Sequence, residues 1–578
     1  MRQKIKECLP ALSDKKNVTF RIANTVNYDF KKVIGENHSL KLLAGQELIK
    51  TNSTELTSEI NGFPVFFDFE NAKNLSSQGK ALFTQTTYAP EDKLLSFFGR
   101  LNYDYKNRYL FTATYRADGS SKFLGNNRWG YFPSAAVAWK LSEESFLKDV
   151  SWLKLLKLRA SYGQAGNNNI PTGQTSQLYI PNTTTWINGF TSFWSASKVL
   201  ANPDLKWETT ITQNFGLDYD LFNGKVIGSV EVYKNITKDL LINFPVPGTG
   251  YDTQYRNMGE TQNTGVEASL SITVINKPNY GLNFSLNFGV NKNRINSLGV
   301  MSDFGQSTAW ASTAIGDDYV VRVGQPLGLM YGYKSDGRYE VADFDYNGTS
   351  YTLKSGVPSN ATIVGTVSPG VMKLKDVNGD GKVDASDQTV IGNANPKHTG
   401  GFVINANAYG FDLSAAFNYS FGNDIYNANK VEFTTATENT QYRNLSTQMA
   451  SDNRWTNINA AGNVVTDPAE LEALNANTTL WSPFMRNFVF SDWAVEDGSF
   501  LRLNTLSLGY TLPADALSKV GITKLRFYAT ANNVFVITKY SGLDPEVSTI
   551  RRTPLTPGVD YSPFPRSRQV SLGLNLNF

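Results

Sequence analysis

The chain has 578 residues, 41% of them hydrophobic and 18% charged, and its 54 Lys and Arg against 51 Asp and Glu leave a formal charge of +3. So small a charge over this length gives no electrostatic footprint for nucleic acid, while one cysteine (Cys8) allows no internal disulfide and two histidines (His38 and His398) are too few for a histidine-based metal or triad site. A mean hydropathy of −0.31 excludes transmembrane helices, because no apolar run approaches the ~18 residues they need.

The first stretch, MRQKIKECLPALSDKK, is basic but has no apolar core of ~7–15 residues and no small-residue cleavage site, so it is not a secretory signal. Period-2 alternation then begins at once, over residues 18–30 and 39–49. The expectation is an amino-terminally truncated product or an incomplete gene model. Residues 97–105 return through Lys106-Asn107 into 109–116, and residues 132–140 and 155–163 follow. Residues 214–221 return through Phe222-Asn223-Gly224-Lys225 into 226–233. From there Val266, Ala268, Leu270, Ile272 and Val274 alternate with Glu267, Ser269, Ser271 and Thr273. After Asn276-Lys277-Pro278-Asn279 the next strand answers in kind, with Leu282, Phe284, Leu286, Phe288 and Val290 on one parity. Residues 329–333, 402–408, 411–421, 500–510 and 525–533 are further strand candidates. The chain ends on Val570, Leu572, Leu574, Leu576 and Phe578, opposite in parity to Ser571, Gly573, Asn575 and Asn577.

A strand of about ten residues crosses a bilayer when tilted, and an aromatic last residue suits an interfacial girdle. The predicted fold is therefore all-β, a transmembrane antiparallel β-barrel of roughly 14–16 strands. Its connections are unequal. Some turns are tight, whereas residues 164–205, 291–397 and 422–499 are long, irregular and rich in Asn, Gly, Thr and Ser, as expected of long extracellular loops. A soluble β-rich binding module remains the alternative, since its sandwiches would alternate too.

One chemical motif is sharply written. Asp376, Asn378, Asp380, Lys382, Asp384 and Asp387 occupy positions 1, 3, 5, 7, 9 and 12 of an EF-hand-type calcium loop, with Gly381 at the sharp turn. Asp387 stands where glutamate is usual. The two readings are a structural Ca2+ ion that fixes the loop, and an ion-free loop held by Asx turns. For substrate, Trp186, Trp194, Trp310, Tyr251 and Tyr255 lie in or near polar segments, where exposed rings could stack on sugars. Girdle or loop-core duty is the competing reading. Arg116, Asp118, Ser120 and Ser121 form another polar cluster, read first as organising a strand end.

Residues 94–147 (LLSFFGRLNYDYKNRYLFTATYRADGSSKFLGNNRWGYFPSAAVAWKLSEESFL) resemble the barrel of the SusC/RagA-type TonB-dependent transporters of Bacteroidota. LKLRASYGQAGNNNIP, NPDLKWETTITQNFGLDYDLFNGKV, GQPLGLMYGYKSDGRY, PGVMKLKDVNGDGKVDASDQTVIGNANPKHTGGF, EDGSFLRLNTLSLGYTLP and the terminal PFPRSRQVSLGLNLNF resemble that family in the same order. The resemblance implies an outer-membrane barrel of about 22 strands in the intact receptor. Residues 1–578 would be the carboxy-terminal part of its barrel, with signal peptide and plug domain absent. It further implies contact with outer-membrane lipid, a SusD-like surface lipoprotein as lid, and the TonB complex engaged through the missing amino-terminal region. The expected function is import of an oligomeric nutrient, a glycan before a peptide, by an outer-membrane protein of a Gram-negative bacterium. A passive adhesive or structural barrel is the alternative.

No enzyme is expected. Glu143-Glu144 and Asp317-Asp318 are adjacent pairs whose members would point to opposite faces of a strand, and there is no nucleophile elbow, phosphate loop or cysteine cluster. Unpaired edges are costly in a membrane, so a partial barrel on its own is expected to aggregate or misassemble.

Overall fold

The computed structural model describes all residues except 1–10, 31–34, 184–191, 311–314, 437–443, 518–520, 550–552 and 554. Cys8 and Trp186 lie outside the described residues. Residues 1–149, 156–216 and 233–261 form one compact unit, and residues 150–155, 217–232 and 262–578 a second.

In the first unit an antiparallel meander runs through Ala11–Asp29, His38–Asn61, Asp92–Tyr105, Tyr109–Ser120, Trp129–Lys140 and Leu153–Asn167, with Lys80–Tyr88 added beside the far half of the second strand. Register turns sequence alternation into two chemically different faces. Leu101, Ala113 and Ala135 fall in one cross-strand row, Tyr103, Phe111 and Val137 in the next, and Tyr105, Tyr109 and Trp139 in a third. The last row stacks, with ring centroids 6.4 and 6.3 Å apart, at the end where Lys106 and Asn107 take positive φ (54° and 53°) in a two-residue turn. Asp104 Oδ1 accepts the Asn107 N–H at 2.6 Å and closes that turn. On the opposite face Ser96 meets Asp118 and Asn102 meets Thr112.

The second unit repeats the design through Tyr280–Ser297, His398–Ala408, Phe411–Phe421, Phe500–Thr511, Lys524–Thr538 and Gln569–Asn577. Leu576, Leu574 and Leu572 pair with Leu525, Phe527 and Ala529, while Asn575, Gly573 and Ser571 pair with Arg526, Tyr528 and Thr530. Val570 and Leu572 are 71% and 82% exposed. Leaving such side chains in water forgoes roughly 1.5–3 kcal/mol each, a penalty that bilayer hydrocarbon removes. Polar-face Gly573 is required where it stands, since a Cβ there would clash with the Tyr528 ring laid across it.

Glu208–Leu221, Val226–Lys238 and Glu260–Asn276, like Leu153–Asn167, contribute residues to both units. Among the described residues the sheet thus numbers sixteen strands, fifteen along the meander and Lys80–Tyr88 beside it, at the top of the range expected. Two expectations need correction. Residues 329–333 do not join the meander: Leu329–Gly332 belongs to a four-stranded sheet with Asp303–Gln306, Tyr319–Arg322 and Thr389–Asn393. The long segments 291–397 and 422–499 are not irregular either. They supply one packed core together, Tyr339, Val371 and Leu374 coming from the first and Met449, Trp481 and Met485 from the second. Burial of that many aromatic and sulfur-bearing side chains outweighs the low strand propensity of the Asn- and Gly-rich sequence between them.

Candidate functional site: the outer segments and the polar face

In the second unit, residues 376–387 form a closed loop between Met372–Leu374 and Thr389–Asn393. Asp376 accepts the N–H groups of Gly379 (2.6 Å) and Gly381 (2.8 Å), Asn378 that of Asp380 (2.9 Å), and Asp380 that of Lys382 (3.1 Å). Asp387 is fully buried and accepts from Val377, Asn378 and Asp384 at 2.8, 3.2 and 2.9 Å. Desolvation pushes its carboxyl up, but those three N–H groups hold it below the usual carboxylate range. The Ser386 hydroxyl and Lys382 ammonium likewise hold the Asp384 carboxyl below its usual range. Among the described residues, no three acidic, histidine or cysteine side chains gather as a metal cage. The side-chain oxygens of Asp376, Asn378, Asp380 and Asp387 accept N–H groups of the loop, as in Asx-type turns.

The aromatic candidates separate. Trp194 stands 68% exposed on the hairpin Tyr179–Thr183/Ser192–Ala196 of the first unit. Tyr251 and Tyr255 are half-buried in the same unit, and Tyr255 packs on the cluster of Phe123, Phe132, Leu205 and Trp207. Trp310, in the second unit, is only 5% exposed. Its Nε1 donates to Tyr426 Oη at 2.6 Å and its ring packs 5.5 Å from Phe488 and 5.1 Å from Tyr561. That takes it out of the substrate-contact set, because a ring enclosed by other rings offers no face to a sugar. The polar stretch around it, GQSTAWAST, read as exposed, whereas its partners lie more than a hundred residues downstream.

Arg116, Asp118, Ser120 and Ser121 do organise a strand end. Arg116 pairs with Asp118 (2.7 Å) and Glu47 (3.5 Å) and donates to Ser96 Oγ at 2.8 Å, while Ser121 Oγ takes the Lys93 N–H at 2.8 Å. The corresponding feature of the second unit was not visible in the sequence. Arg502, 2% exposed on Phe500–Thr511, holds Asp544 Oδ1 at 2.6 Å and also bonds Asn533, and Arg566 reaches Asp544 at 3.3 Å and Glu546 at 3.0 Å. Two cations balance two acids, as burial demands. Asn418 of Phe411–Phe421 donates to Glu546 Oε1 at 3.1 Å. A cavity of ≈550 Å³ opens beside this cluster, lined among others by Asn287, Tyr419, Asn423, Glu546 and Ser548. With Glu546 held by Arg502 and Arg566, the remaining polar lining of amides and hydroxyls suits a hydroxyl- or amide-bearing solute.

Comparison with known proteins accounts for this combination of an apolar strand face, a polar opposite face and folded outer segments. Residues 13–534 match the family described as TonB dependent receptor-like, beta-barrel. TonB-dependent receptor P39 of Formosa agariphila is 33% identical, over 97% of this chain and 53% of the relative. TonB-dependent receptor SusC of Bacteroides thetaiotaomicron is 32% identical, over 86% of this chain and 44% of SusC. The RagAB peptide transporter structure superposes with a TM-score of 0.76 at 25% identity, covering 99% of this chain and 56% of that one. This chain therefore spans about half the length of the curated relatives it matches. It belongs to the TonB-dependent receptor family, as an outer-membrane β-barrel of SusC/RagA type.

Proposed function

We propose that the chain is the barrel portion of a receptor that imports an oligomeric nutrient across the outer membrane, a glycan in preference to a peptide. The observation that carries import is the family match over residues 13–534, joined to a strand face fit for lipid and an opposite face of hydroxyls and amides. The reading is non-enzymatic, in keeping with a family of receptors. A SusD-like surface lipoprotein is the proposed lid over the outer segments, and contact with TonB is assigned to receptor sequence outside the 1–578 span. The glycan preference rests on exposed Trp194 and on the amide and hydroxyl groups that line the cavity beside Asn287 and Tyr419. A peptide is the second reading, favoured by the likeness to the RagAB peptide transporter.

Deleting the intact gene tests both. Loss of growth on oligosaccharides, with peptide growth unchanged and the loss reproduced by removing TonB, is the expected result. Loss confined to peptides would establish the second reading, and unchanged growth on both would overturn import.

Calcium at residues 376–387 is kept as a proposal that rests on donor register alone, with a structural role. The expected outcome is a Tm that rises with Ca2+, falls with chelator and stops responding in Asp376→Ala. A Tm indifferent to Ca2+ and chelator would assign the loop to Asx turns alone.

A further inference from the structure

The four-stranded sheet of the second unit gathers at one end a set of polar side chains that the barrel reading does not use. Gly332 pairs with Thr389, and Tyr333 and Gln388 are the residues that flank that pair at the sheet's end. On the other side the Tyr331 N–H donates to the Asp318 carbonyl at 2.9 Å, which brings Asp317 to the same end. Tyr331 and Tyr333, two apart, share a face. These four residues line a cavity of ≈210 Å³, with Ile363 and Val489 among its apolar walls. Among the described residues no hydrogen bond or ion pair engages the Asp317 carboxylate, the two phenol hydroxyls or the Gln388 amide. The Tyr333 phenol is pushed up to about 12, by burial first and then by Asp384, Asp387 and Tyr331, so it stays a neutral donor.

We infer that this cavity is a subsite for one uncharged pyranose residue of a glycan, a deepening that rests on the glycan reading above. Its volume lies below the roughly 300–1,000 Å³ of sites for drug-sized ligands, which restricts it to about one ring. Its lining combines acceptors (Asp317, Gln388), donors (Tyr331, Tyr333, Gln388) and aromatic faces, the mixture that adjacent sugar hydroxyls and ring C–H groups require. Among the described residues no Lys, Arg or His lines it, so a uronate or sulfated sugar would meet Asp317 without a compensating cation. A cationic side chain from a peptide would find a single exposed acid and leave the amide and both phenols unmatched. Sequence adjacency of Asp317 to Asp318 concealed this arrangement. Asp318 turns inward, where its carboxylate accepts the Thr308 N–H at 2.8 Å, and Asp317 is left at the cavity.

Saturation-transfer NMR on the intact receptor in detergent micelles tests the subsite, with methyl α-glucopyranoside, methyl α-mannopyranoside, glucuronate and acetyl-lysine amide as probes. Transfer to a neutral pyranoside is expected, weakened about fivefold by each of Asp317→Asn and Tyr333→Phe, substitutions that remove a hydrogen-bonding partner and little volume. Heat-modifiable migration verifies that each variant is folded. Transfer that both variants leave unchanged, no transfer to either pyranoside, or stronger transfer to glucuronate or acetyl-lysine amide would overturn the inference. Growth on glycans with variant-insensitive transfer would remove the subsite and leave import standing. Peptide-only uptake by cells whose receptor still shows variant-sensitive transfer would remove glycan import and leave the subsite.

Discussion

Arg502 shows what a buried charge costs and what it secures. Its guanidinium sits on a strand, while Asp544, Glu546 and Arg566 come from the connection between Lys524–Thr538 and Gln569–Asn577, so the ion cluster fastens that connection to the strands. Removing one member of a buried pair leaves the other uncompensated, at about 3–5 kcal/mol, whereas replacing both by apolar side chains is often neutral. Asp544→Ala should therefore open residues 541–568 to limited proteolysis, and Arg502→Met combined with Asp544→Leu should restore protection. Equal cleavage of wild type and Asp544→Ala would show that the connection is held by other contacts.

At the scale of elements, the outer segments carry a titration of their own. Burial pushes the Asp318 carboxyl up to about 6, against hydrogen bonds from Thr308 that favour its charged form. For an acid whose folded value exceeds its unfolded one, the folded state binds more protons over the interval between them. Stability from this group therefore falls as pH rises from about 4 to about 6, and the cost of the buried charge is fully present above that interval. Hydrogen exchange across residues 303–332 should slow as pH drops from 7.5 to 5, after correction for intrinsic exchange, and Asp318→Asn should flatten the response. A wild type with no pH response would place the titration elsewhere.

The same elements mark where sequence stops informing structure. The hairpin 402–408/411–421 and the strands 525–533 and 570–578 were legible because period-2 alternation is local and every residue reports on its face. The core joining Tyr339 and Val371 to Trp481 and Met485 was not, since its members follow no period and meet across more than a hundred residues. Residues 329–333 read as a short strand from their composition, yet pairing with Thr389–Asn393 takes Leu329–Gly332 into the outer sheet. Trp310 misled for the opposite reason: its neighbours in sequence are polar and its neighbours in space are Tyr426, Phe488 and Tyr561. Of the candidate site residues, the 376–387 motif was legible because its Asp and Asn donors recur at fixed local spacing, whereas the Asp317, Tyr331, Tyr333 and Gln388 set depends on strand register that no single segment encodes.

At the scale of the whole molecule, family membership and alternation lead to one physical claim: a strand face of Leu, Val and Phe meets lipid and the face of Ser, Asn and Gly meets water. The import reading, the cavity beside Arg502 and the pyranose subsite all assume it. Labelling of single cysteines along the last strand, in a Cys8→Ser background and in outer membranes, tests it most directly. An environment-sensitive fluorophore at Leu572→Cys and Leu574→Cys should report hydrocarbon, while Ser571→Cys and Asn575→Cys should report water. Aqueous signals on both faces, or the reverse assignment, would contradict the account.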